Sequence, residues 1–235
     1  MKMKQALIGF GSLLCAFSSL EARTVFWGGP TESVLYQSDG VTPVDSSFTF
    51  LLGSFDVGYD PLTSPIETWA SNFNTFDQAY YNDTTDFFSS SANLLDTGLS
   101  DGVNADPTFD FRNKRLYLWV FDSNTFNPLV PTTTESALFT GDTWVLPPEG
   151  NCGCGEDNLP LEFYVSNMTA AVIGNVDPDY SGSNPPIDGP LGEFTRPTGA
   201  YDFQTHSFTV VPEPSVALLG SLGLLGLALR RKRSV

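Results

Sequence analysis

The chain has 235 residues and a formal charge of −16, from 27 acidic and 11 basic residues. Six of the bases stand at the ends, so the stretch 23–211 holds five bases against 25 acids, a charge of about −20. Such a surface repels nucleic acid and anionic lipid and argues against both as partners, and a single histidine, His206, excludes histidine metal sites by count.

Residues 1–22 read as a secretory signal. Lys2 and Lys4 precede an apolar stretch from Ala6 to about Leu20, and Ala22 is a suitable last residue before cleavage. Leu14 stands before Cys15 where a lipoprotein signal carries a small residue, which sets lipidation aside.

From Arg23 onward apolar and aromatic residues alternate. Nine segments predict strands: 24–29, 33–37, 46–55, 114–123, 135–141, 143–148, 161–167, 170–176 and 206–211. Turn chemistry separates them at Ser38-Asp39-Gly40, Thr140-Gly141-Asp142, Pro147-Pro148 and Asn158-Leu159-Pro160. The segment KRLYLWVFDS is apolar on both faces, with Leu116, Leu118 and Val120 on one and Tyr117, Trp119 and Phe121 on the other, as a buried central strand requires.

One short capped helix interrupts the strands. In SPIETWASNF, Ser64 is placed as N-cap, Pro65 at the first helical position and Glu67 as the partner in a capping box. Ile66, Trp69, Ala70 and Phe73 then share a helical face, and Phe76, Ala79 and Tyr80 extend that spacing after a break near Asn74. Trp69 and Phe73 are expected in the core, as are Trp119 and Trp144. Trp27, beside Gly28-Gly29-Pro30, is the tryptophan expected at the surface, where a sugar could stack. These elements predict a mainly β domain over 23–211, an antiparallel sandwich or a barrel-like sheet. Residues 106–110 and 177–199 are expected to be loops.

Chemistry is sparse. No Gly-x-Ser-x-Gly elbow or phosphate-binding glycine loop is present, and His206 falls in a strand near the end of the domain. Cys152 and Cys154 can form only a tight ring across one residue, or remain loop thiols, and two thiolates alone make a poor zinc site. In DPDYSGSNPPID, Asp177, Asp179, Ser181 and Asp188 resemble an EF-hand-type loop, with oxygen ligands at positions 1, 3, 5 and 12 and Gly182 at the turn. Pro185 and Pro186 depart from that pattern, and an acidic surface loop is the plainer reading. Ca²⁺ is thus the one cofactor the sequence suggests. Two carboxylates suffice for glycoside hydrolysis, yet nothing singles out a pair among so many acids.

The chain closes with VPEPSVALLGSLGLLGLALRRKRSV. The apolar run from Val216 to Leu229 has 14 residues. As a helix it would measure ~21 Å, short of a hydrocarbon core of ~30 Å. The basic cluster Arg230, Arg231, Lys232 and Arg233 would stay cytoplasmic, making the tail a marginal stop-transfer segment. Pro212-Glu213-Pro214, the Gly/Leu-rich run and the terminal RRKR together resemble the PEP-CTERM sorting signal. That resemblance implies secretion through the Sec machinery of a Gram-negative bacterium, recognition by an exosortase, cleavage near the triplet, and association with exopolysaccharide or the cell surface. The domain is also similar to uncharacterised exported proteins with the same tail, in the order of SDGVTPVDSSFTFLLGSF, the Trp69 helix, LYLWVFDS and FTGDTWVLPP. No activity comes with that likeness. The sequence therefore divides into signal (1–22), β-rich domain (23–211) and sorting tail (212–235). It suggests an exported noncatalytic protein first, a secreted carbohydrate-binding module second and a two-carboxylate hydrolase third.

Overall fold

The computed structural model describes residues 22–29, 34–122, 132–148, 160–177 and 185–210. Residues 1–21 of the expected leader, the expected sorting tail 212–235, Cys152, Cys154, Asp179 and Ser181 lie outside them, whereas Ala22, expected as the leader's last residue, begins the first strand.

The chain is mainly β, built on one large sheet curled into a half-barrel. Its strands are β1 (Ala22–Gly28), β3 (Phe48–Phe55), β4 (Phe73–Asn82), β5 (Phe87–Leu95), β6 (Arg115–Asp122), β7 (Thr132–Val145), β8 (Leu161–Tyr164), β9 (Ala170–Ile173) and β13 (His206–Val210). They run in the order β13-β7-β6-β3-β4-β5-β1-β8, with β9 also paired to β7. A second, smaller sheet joins β11 (Ile187–Asp188), β10 (Asn175–Val176), β12 (Phe203–Gln204) and β2 (Leu35–Tyr36). The pairing is mostly antiparallel, but β1–β8 and β12–β2 are parallel.

The small sheet seals one face of the large one. Leu35, Val176 and Phe203 are buried in a single core with Phe50, Phe88, Phe139, Leu116, Leu118 and Val120. Phe203 is fully buried, its ring centroid 5.4 Å from Phe139, 6.2 Å from Phe88 and 6.5 Å from Phe50. Among the described residues, the opposite face is covered over its middle strands. There Phe55, Trp69, Trp119, Leu138, Val172 and Ile173 form a second apolar cluster. Strand β6 thus contributes to both cores, as its two apolar faces predict.

Three local expectations are corrected. The helical segment is a 3-10 turn at Ile66–Thr68 followed by one α turn, α1, at Trp69–Asn72, and neither turn has a side-chain cap at its N-terminus. Pro65, in extended conformation, starts it in place of Ser64. Trp69 is fully buried all the same.

The helical spacing beyond Asn74 belongs to β4. Opposite Leu52 and Gly53 stand Asp77 and Thr75, so Phe76 is the extra residue of a β-bulge. The bulge slips the alternation by one and turns both Phe76 and Asp77 inward. Phe73, Phe76 and Ala79 therefore recur every third residue without a helix. Neighbouring β5 carries the serine-rich sequence FFSSSANLL, whose outer face is too polar to read as a strand.

Lastly, Thr140-Gly141-Asp142 does not reverse the chain. It is an irregularity inside the 14-residue β7, where Arg115 faces Val145 and Tyr117 faces Thr140. The Arg115 guanidinium donates to the Gly141 carbonyl at 2.7 Å and ties that bulge to β6.

Candidate functional site: an open groove and a closed polar network

The β5–β1–β8 end of the large sheet carries an open groove of about 480 Å³, lined by Phe26, Trp27, Ser89, Ser90, Ser91 and Tyr164. Strand register builds it. On the outer face Phe26 lies between Ser91 of β5 and Glu162 of β8, and Gly28 lies between Ser89 and Tyr164. Gly28 has φ +151° and no side chain, and a Cβ there would fall 2.4 Å from the Phe88 carbonyl. The trough therefore runs over Gly28, with the Phe26 and Tyr164 rings and the serine hydroxyls around it. Phe26 is 39% exposed. The hydroxyls of Ser89, Ser91 and Tyr164 bond to no other described side chain.

Trp27, expected at the surface, points the other way and is 1% exposed. Its indole N–H donates to the buried Asp77 carboxylate at 2.8 Å, and the Val103 amide donates to the other oxygen at 2.8 Å. The aromatic presented outward is its neighbour, Phe26. A strand alternates faces at every residue, so being one position off reverses which ring is available.

Of the polar side chains singled out in the sequence, His206 enters a closed network under the small sheet, together with Gln204, Asn175 and Glu135, which the sequence did not mark. The Gln204 amide nitrogen lies 3.0, 3.3 and 2.7 Å from the carbonyls of Gln37, Ser38 and Thr195. Its oxygen must therefore face Asn175, whose amide nitrogen donates to it at 2.9 Å. The same nitrogen lies 3.1 Å from His206 Nε2, which must accept, while Nδ1 donates to the Leu191 carbonyl at 2.8 Å. The chain of donors fixes His206 as the neutral Nδ1–H tautomer and engages both ring nitrogens. Burial lowers its pKa, outweighing the Leu191 bond and the charges of Asp188 and Glu135. Phe194 stacks on the imidazole at 4.1 Å. Glu135 completes the network by accepting from the Ser38 amide and hydroxyl and from the Thr205 hydroxyl.

The two described acids of the suggested Ca²⁺ loop are not brought together by a shared bond. Asp188 takes both its hydrogen bonds from Arg196, at 2.7 and 2.8 Å. Asp177 donates its amide to the Asp202 carbonyl at 2.9 Å. Burial, and after it the Asp177 charge, push the Asp202 carboxyl above the ordinary range despite the bond from the Val34 amide. Among the described residues no group of three or more metal-ligating side chains is assembled.

No known protein family, curated protein or solved structure matches the chain. Among the described residues no helix is long and apolar enough to cross a membrane.

Proposed function

We infer that this is an exported noncatalytic protein, delivered by its C-terminal tail to the cell surface or the extracellular polysaccharide layer of a Gram-negative bacterium. The observation that carries the reading is the succession of three elements in the tail sequence: Pro212-Glu213-Pro214, an apolar run too short for a secure span, and the basic end from Arg230 to Arg233. A membrane hold that is deliberately weak suits a protein that is to be released. Exosortase and the Sec machinery are its processing partners. The acidic domain suits an extracellular life, and His206, the one imidazole available, is committed to internal bonds through both nitrogens.

A carbohydrate-binding role within that layer is the second reading, favoured by the groove at β5–β1–β8. Its hydroxyls and half-exposed rings are the groups that hold sugars by hydrogen bonding and stacking.

The sorting reading is tested by the mass of the protein from its native cells, beside a variant with Pro212, Glu213 and Pro214 changed to alanine. The expected wild-type product lacks both ends, and the variant stays uncut in the membrane. A wild-type product that keeps its RRKR terminus would make the tail a plain anchor.

A further inference from the structure

We propose that the groove over Gly28 is a binding site for a neutral hexopyranose chain, with Phe26 and Tyr164 as its stacking walls and Ser89 and Ser91 as its hydroxyl contacts. The proposal rests on the carbohydrate-binding reading and goes beyond it by naming the site and the class of sugar.

Four observations converge. The volume of about 480 Å³ falls within the range of ~300–1,000 Å³ usual for small-molecule sites. Its walls alternate rings with hydroxyls, matching a pyranose, which offers an apolar C–H face and a polar rim. A purely apolar ligand would leave Ser89, Ser91 and the Tyr164 hydroxyl desolvated without partners. The floor is backbone, because Gly28 admits no Cβ, so a flat ring can approach the sheet closely.

Charge selects among sugars. No acidic or basic side chain lines the groove, and Glu162, exposed beside Phe26, adds an acidic group at the rim. With the whole chain at −16, a polyuronate or sulfated glycan would approach against repulsion. A neutral polymer would not. The site is also held in place from behind. Trp27 and Phe88, on the inner side of the same strands, pack at 6.2 Å, and the Trp27–Asp77 bond fixes β1 against β4. Ligand contact therefore falls on a rigid sheet, which limits the entropy lost on binding.

The test uses the full chain in a zwitterionic detergent free of sugar headgroups, titrated calorimetrically with cellohexaose, laminarihexaose, maltohexaose and an alginate hexamer. Binding of at least one neutral oligomer is expected, with alginate silent. Phe26→Ala and Tyr164→Ala should each weaken it by tenfold or more. Ser89→Leu, an exposed change that fills the trough without removing a ring, should do the same while leaving the melting temperature unchanged. Binding to none of the neutral oligomers would overturn the proposal together with the carbohydrate reading. Binding that survives Ser89→Leu and both alanine changes would overturn the groove assignment alone. A preference for alginate would overturn the charge argument. None of these outcomes touches the sorting reading, which the mass measurement decides separately.

Discussion

Strands β6 and β1 are both rich in aromatics and both lie inside the large sheet, yet they meet opposite fates. In β6, Leu116, Leu118 and Val120 enter the core under the small sheet, and Trp119 is buried on the other face by Trp69 and Phe73. In β1, Val25 and Trp27 enter the same core, but no described segment covers Phe26. The difference lies in what packs on top. The turn at 66–72 packs on the outer face over the middle strands, and among the described residues none covers that face at the β5–β1–β8 end. An aromatic at an outward position becomes core in one place and a wall of a groove in the other.

Substitutions can break this comparison in order of size. Phe203→Ala and Trp119→Ala, one in each core, should each cost about 3–5 kcal/mol by cavity formation, read as a shift in the urea midpoint at constant slope. Equal costs would show that both faces of β6 are true core. A negligible cost for Trp119→Ala would show that the outer cluster is surface decoration.

Asp77→Ala comes next. It orphans the Trp27 indole N–H and the Val103 amide, each now bonded at 2.8 Å, for a loss of about 1–3 kcal/mol. Trp27 fluorescence should shift as water reaches the indole. An unchanged spectrum and stability would mean that β1 is held by register alone.

The His206 network gives a smaller, pH-dependent effect. His206 is held neutral, with a pKa below the 6.5 of its unfolded state. Its favourable contribution is complete above that value. As pH falls below about 6.5 the unfolded chain takes up a proton that the folded chain refuses, so stability declines. Asp202 works in the opposite direction, because its raised pKa relieves a destabilised carboxylate as pH falls. The comparison with His206→Gln isolates the imidazole. Wild type should lose more stability between pH 7.5 and 5 than the variant, and parallel curves would show that the network accommodates the imidazolium.

The smallest effect sharpens the contrast most. Phe26→Ala should lower stability by no more than about 1 kcal/mol, against several for Trp27→Ala next to it, because only the second ring is fully buried. Comparable losses would mean that Phe26 is covered in solution and that the groove is closed.

Much of this architecture is visible in the residues, because alternation of apolar side chains is a local consequence of strand geometry. Residues 114–123 announce a strand apolar on both faces, and Arg115–Asp122 form one that packs into both cores. The departures share a cause. The bulge at Phe76 converts an alternating pattern into a three-residue one that imitates a helix, and the serine face of β5 hides a strand whose other face is core. Both depend on neighbours distant in sequence: Gly53 and Leu52 for the bulge, β1 and β4 for β5.

The sequence by itself determined a strongly acidic, mainly β domain, its central strand, the burial of Trp69, Trp119 and Trp144, and a tail that ends in basic residues. Tertiary structure alone decided which face of β1 looks outward, where the small sheet sits, and that Gln204, Asn175 and His206 share one network. Alternation tells that two faces differ, since side chains leave a strand on opposite sides. Which face stays open depends on a second layer packing over it, and that layer is made by residues far away in the chain.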